Sequence, residues 1–145
     1  MSRYISEVQR KIVAARAFFV CEYCLIHEED SYFSYEIDHI ISLKHGGETQ
    51  MDNLAYSCIT CNRNKGSDIA SVLSDPERYI RFYHPRKDSW NDHFQLVGSV
   101  IEPLTDIGRT TLHILDFNHT DRILERQSLI NIDRYLHPGA KQLIS

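Results

Sequence analysis

The chain has 145 residues, a formal net charge of −4, 42% hydrophobic and 25% charged residues, six glycines and four prolines, a composition that fits one globular domain and excludes collagenous, coiled-coil and disordered chains. Its longest apolar runs, such as 17–21, fall far short of the ~20 residues that cross a bilayer, and the first residues lack the apolar stretch of a secretory leader, so a soluble cytoplasmic protein is expected. The acidic balance argues against coating nucleic acid by bulk charge but leaves room for one local phosphate site.

Along the chain, Ser6 followed by Gln9 has the form of a capping box, and Val8, Ile12, Ala15 and Phe19 recur at helical spacing, which predicts a helix over about 7–19. Arg3, Arg10, Lys11 and Arg16 against the single acid Glu7 make this the most basic stretch of the sequence. Short aromatic and β-branched runs at 32–37 and 40–41, broken by Gly46-Gly47 and Asp52-Asn53, read as short strands around a turn-rich loop. The segment 59–68 lacks strand alternation and predicts a short helix closed by Gly66. Asp75-Pro76 has the form of a helix start, 70–73 fits helix or strand, and His84-Pro85-Arg86 marks an extended break. Two helices are expected near the end. Thr105 caps the first, to about 117, with Ile107, Leu112 and Leu115 inside; Thr120 or Asp121 starts the second, with Ile123, Leu124, Ile130 and Leu136.

The four cysteines form two pairs, Cys21-Glu-Tyr-Cys24 and Cys58-Ile-Thr-Cys61. Two intervening residues let one tight turn aim both thiolates at one ion, so paired knuckles point to tetrahedral zinc. Disulfides are disfavoured in a cytoplasmic chain, and a thioredoxin-like redox site would need a βαβ unit that the pattern lacks. Four free buried thiols are the remaining alternative. A four-thiolate zinc is coordinatively closed, so it would hold structure and take no part in chemistry. The 33 residues between the pairs exceed the usual zinc-ribbon spacing and leave room for a hairpin and a loop.

Between and beside the knuckles stand Glu36-Ile37-Asp38-His39, Gly46-Gly47, Asp52-Asn53-Leu54 and Asn62-Arg63-Asn64-Lys65-Gly66. Singly, an Asp-His pair or an Asn at a helix start reads as a surface feature or a cap. Their order resembles the HNH endonucleases, the zinc-containing branch of the ββα-metal nucleases. The resemblance covers roughly 21–66, and His84-Pro85-Arg86, Trp90, His93-Phe94 and 105–109 resemble the tail of one bacterial subgroup. It implies an α+β fold in one domain: a ββα-metal finger (21–66) braced by the zinc site, a flanking N-terminal helix (1–20), and an accessory segment with C-terminal helices (67–145). His39 takes the place of the family's first His, Asp38 that of the metal-binding Asp before it, and Asn53 that of the central Asn. Asn62 stands at the last position, where His is frequent, which makes this chain an H-N-N variant.

What the resemblance implies is hydrolysis of DNA phosphodiester bonds, leaving 5′-phosphate and 3′-hydroxyl ends. His39, with an ordinary pKa of about 6.5, suits a general base for water at neutral pH. Asp38 and Asn62 would hold a divalent ion on the scissile phosphate, and oxygen donors favour Mg²⁺ or Mn²⁺ over zinc. Asn53 would orient His39. Lys65, Arg63, Arg10 and Lys11 are candidates for contact with the DNA backbone, each with a solvated helix face as the alternative reading. Packing under the final helices is the expected role of Arg86, Trp90 and His93. Because neighbouring strand residues face opposite ways, Asp38 and His39 can address one phosphate only where their strand ends or bulges. Asn62 directly follows Cys61, so zinc would pin the start of its helix. The alternative function is a catalytically inactive, zinc-stabilised nucleic-acid-binding module.

Overall fold

A computed structural model of the chain describes residues 4–145, and Arg3 of the basic N-terminal stretch lies outside them. Helix α1 runs Glu7–Arg16 behind the expected capping box: the Ser6 hydroxyl accepts from the Gln9 N–H, and the Gln9 side chain accepts from the Ser6 N–H. The helix stops three residues earlier than expected, because Phe18 and Phe19 take left-handed backbone conformations at φ 55° and 59°. The apolar stripe also faces the other way. Val8 and Ile12 are 66% and 48% exposed, whereas Val13, Ala14 and Ala17 are buried. These smaller side chains let α1 lie against the hairpin that follows, where Arg16 donates to the Leu54 carbonyl.

That hairpin pairs β1 (Glu36–His39) with β2 (Leu54–Ser57) in antiparallel register, from Glu36 opposite Ser57 to His39 opposite Leu54. Both strands are four residues long, too short for alternation to announce them, and β1 begins four residues later than the aromatic run suggests. Helix α2 (Ile59–Lys65) follows directly, with the Cys58 sulfur at its N-terminus accepting from the Cys61 N–H and Gly66 at its end, as expected. The result is a ββα unit. The loop between the strands carries two single 3₁₀ turns, Leu43–His45 and Met51–Asn53.

Beyond the finger, β3 (Ala70–Val72) pairs antiparallel with β4 (Tyr79–Arg81). Asp75-Pro76 therefore lies in the connection between two strands, not at a helix start, and the Asp75 carboxylate there accepts from the Glu77 N–H. After the short helix α3 (Trp90–His93), β5 (Phe94–Val97) and β6 (Val100–Pro103) make a third hairpin, turned at Gly98 with φ 60°. Helix α4 (Asp106–Leu115) is capped by Thr105 as expected. Helix α5 (Thr120–Asn131) corrects the expected pattern: Leu124 is 59% exposed, Leu136 lies beyond the helix, and the buried residues are Arg122 and Arg126. A last helix, α6 (Pro138–Ile144), was not foreseen.

The described residues thus form an α+β structure of three two-stranded antiparallel sheets and six helices. Tyr23, Leu25, Leu54, Tyr83, Trp90, Phe94, Leu115 and Phe117 belong to one continuous apolar core, so the accessory segment and the finger share their interior. None of the described helices is long and apolar enough to cross a membrane.

Candidate active site and metal centre

The sulfurs of Cys21, Cys24, Cys58 and Cys61 all lie within 4.8 Å of one another, in a buried position where they could hold a metal ion. The first pair is placed by the turn after α1 and the second by the start of α2. Backbone N–H groups of Cys24 and Cys61 point at the sulfurs of Cys21 and Cys58, at 3.5 and 3.3 Å. Four cysteine sulfurs grouped this closely fit a tetrahedral zinc ion.

The two residues inside the first knuckle are not spacers. Buried Glu22 accepts from the Tyr56 N–H at 2.8 Å and pairs with Arg86. The Tyr23 carbonyl accepts from the Trp90 indole at 2.9 Å, and the Tyr23 hydroxyl donates to Asp38 at 2.6 Å. Arg86 and Trp90 therefore clamp the first knuckle, a different place from the packing under the final helices that was expected of them. His93 shares a 2.6 Å hydrogen bond with Thr105 at the α4 cap.

Asp38 and Glu36, two apart on β1, both meet α2. The Asp38 carboxylate is 4% exposed and receives the Lys65 ammonium at 3.2 Å on one oxygen and 3.1 Å on the other, besides the Tyr23 hydroxyl. Burial pushes its pKa up, against the opposing pull of Lys65 and Tyr23. Glu36 accepts from the Asn62 amide. Lys65 is 1% exposed and donates also to the His39 carbonyl, which corrects the expectation that it meets a DNA backbone: its charge is spent inside the finger.

β1 ends at His39 without a bulge, and that ending lets Asp38, His39 and Asn62 line one open cleft of about 360 Å³ with Ser42, Lys44 and Ser67. The His39 Nε2 is 2.9 Å from the Thr49 hydroxyl. Burial lowers the His39 pKa from 6.5, with Asp38 opposing and Lys65 reinforcing, which favours the neutral ring. If Nε2 carries the proton toward Thr49, Nδ1 is left with a free lone pair. An imidazole in that state can accept a proton from water.

Asn53 does not touch the His39 ring. Its carbonyl oxygen accepts from the Ile41 N–H at 2.8 Å, and its amide donates to the Ile41 and Glu48 carbonyls, both at 2.9 Å. These bonds fix the loop on either side of Thr49 and so act on the imidazole at one remove. Gly47 is required at the same place, because a Cβ there would sit 1.8 Å from the Ile41 carbonyl oxygen and 2.9 Å from the Asn53 amide. Thr49, Tyr23 and Glu36 are the site residues that the sequence reading missed. Only Glu36 carried a signal, its period-two spacing from Asp38.

The other basic candidates are scattered. Arg10 and Lys11 edge a broad cleft with Phe19, Tyr35, Ile37 and Tyr56, and Arg63 lies on a separate one with Tyr32 and Phe33.

Compared with known proteins, residues 21–68 match the family model described as HNH endonuclease, so the resemblance read from the sequence holds over that segment. The match supports a nuclease or nucleic-acid-binding function. No curated protein and no solved structure matches the chain.

Proposed function

We propose that this chain, an HNH segment with helical and hairpin extensions, is a metal-dependent endonuclease that hydrolyses DNA phosphodiester bonds with His39 as general base. The observation that carries the reading is the hydrogen bond to Thr49 from a His39 ring that lines one cleft with Asp38 and Asn62. With Thr49 accepting from Nε2–H, Nδ1 is the nitrogen left to take the proton of the attacking water. A pure binding module has no need of an oriented, neutral imidazole there. Asn53 and Gly47 hold the loop that presents Thr49.

The donors near His39 are oxygens: the carboxylates of Asp38 and Glu36 and the side-chain carbonyl of Asn62. Their chemistry fits a hard cation such as Mg²⁺ or Mn²⁺. Bound at Asp38 and Asn62, such an ion would supply Lewis-acid stabilisation of charge on the phosphoryl and leaving oxygens. The four cysteines would carry zinc as a structural ion, and Tyr23 would link that centre to Asp38. One observation favours the inactive binding module instead: Asp38 already satisfies Lys65 and Tyr23.

Plasmid cleavage by the zinc-loaded protein separates the two. The enzyme reading expects nicking or linearisation that starts on adding Mg²⁺ or Mn²⁺ and leaves ligatable 5′-phosphate ends. Retention of DNA without cleavage in either metal would establish the binding module.

A further inference from the structure

Helix α5 buries the wrong residues for an amphipathic helix. Leu124 is exposed, while Arg122 and Arg126, one turn apart, are 7% and 0% exposed. Two buried guanidiniums are costly unless a counter-charge is near. Among the described residues neither makes an ion pair with a carboxylate. Arg126 spends two of its nitrogens on the Ser99 carbonyl at 2.7 Å and the Asn118 side chain at 3.0 Å, and its Nη1 is buried without a partner.

Arg122 meets the cysteine cluster directly. Arg122 Nη2 is 3.0 Å from the Cys61 sulfur and 3.9 Å from that of Cys58, while its Nη1 donates to the Leu115 carbonyl at the end of α4. A donor that close to sulfur is the geometry of a charge-assisted bond to a thiolate. Arg126 follows Arg122 by one helical turn, on the same buried face of α5. Four thiolates around a divalent ion leave two negative charges in a buried site, and the two arginines carry two positive ones.

We propose that Arg122 and Arg126 are the built-in counter-charge of the zinc–tetrathiolate centre, so that zinc binding and the docking of α5 are one thermodynamic event. The centre then reaches well beyond the matched residues 21–68: its ligands come from the knuckles, and its neutrality comes from a helix some sixty positions further on. Groups around a metal site that orient its ligands and balance their charge commonly change metal affinity by about 10–100-fold, and metal binding is then folding energy for whatever supplies them. Arg122 and Arg126 are positioning residues that act through the sulfurs, independently of whether the finger cuts DNA.

The test is zinc affinity by competition with a chromophoric chelator, on the full chain and on Arg122→Lys, Arg122→Gln and Arg126→Gln. The expected result is a loss of tenfold or more for each Gln variant and a smaller loss for Lys, which keeps the charge. The Co²⁺-loaded Arg122→Gln protein should show its sulfur-to-metal charge-transfer band moved to lower energy, because a hydrogen-bonded thiolate holds its electrons more tightly. Cys61→His, which removes one negative charge, should cost less zinc affinity in the Arg122→Gln background than in the parent. Affinities within twofold of the parent, with an unmoved band, overturn the proposal, as do costs that multiply independently. Should the Gln variants not fold, hydrogen exchange on the unaltered chain decides. Chelating zinc should strip protection from 120–131 together with 21–24, and persistent protection of α5 would refute the coupling.

Discussion

Replacing Lys65 by Met tests the interior of the finger most sharply. The ammonium is held at 3.1–3.2 Å from both oxygens of a carboxylate that is 4% exposed, and the Tyr23 hydroxyl is the other side-chain donor to that carboxylate. Removing one partner of a buried pair leaves an uncompensated charge and costs about 3–5 kcal/mol, a large share of the ~5–15 kcal/mol that holds a domain folded. The loss should depend on pH. Burial already raises the Asp38 pKa against the pull of Lys65, and without Lys65 it rises further. A carboxyl whose folded pKa is raised stabilises the fold below the unfolded value near 3.8 and loses that contribution as pH climbs through the folded value. Urea unfolding of the zinc-saturated variant should thus show a deficit that is largest at pH 7.5 and shrinks toward pH 5. Adding Asp38→Asn should recover most of it, since no charge is then stranded. A loss under about 1 kcal/mol at pH 7.5, or one that is equal at both pH values, would refute the reasoning.

Three further outcomes follow from the site. Because burial lowers the His39 pKa, single-turnover cleavage should climb with pH below 6.5 and be level by neutrality; an acid limb centred above 6.5 contradicts the assigned environment. Thr49→Val should slow cleavage about tenfold, the worth of one ~1.4 kcal/mol hydrogen bond, with thermal unfolding nearly unchanged, whereas Thr49→Ser should keep the parent rate. Asn53→Ala forfeits three hydrogen bonds at about 1 kcal/mol each and should lower both stability and rate; Gly47→Ala should do the same through its clash with the Ile41 carbonyl, and parent-like unfolding of both variants would remove the loop from the account.

Features encoded within a few residues are legible in the sequence. The Ser6 capping box, the C-x-x-C turns, Gly66 closing α2 and Thr105 opening α4 are local geometries with local sequence signals. The strands of three or four residues were not, since so short a run offers no periodicity to separate strand from helix or loop. The site divides in the same way. His39, Asp38, Asn53 and Asn62 stood out by their order, but what holds them is long-range: Tyr23 and Lys65 reach Asp38 across 15 and 27 positions, and Arg86 reaches Glu22 across 64. Nothing at Thr49 marks it as a partner for an imidazole ten residues earlier. On α5 the usual ranking of buried residue types points the wrong way. Leu124 faces out while Arg122 faces in, where its guanidinium meets the Cys61 sulfur, and Arg126 faces in onto the Ser99 carbonyl and the Asn118 side chain. The basic candidates divide too: Arg10 and Lys11 edge one cleft, Arg63 another, and Lys65 is consumed inside the fold.

The role of His39 as the base of a nuclease is tested most directly by His39→Ala. With zinc content and fold matched to the parent, and with Mg²⁺ or Mn²⁺ saturating, plasmid cleavage should fall by at least ~10²-fold, the usual weight of a general base. Cutting by the variant at the parent's rate would contradict it.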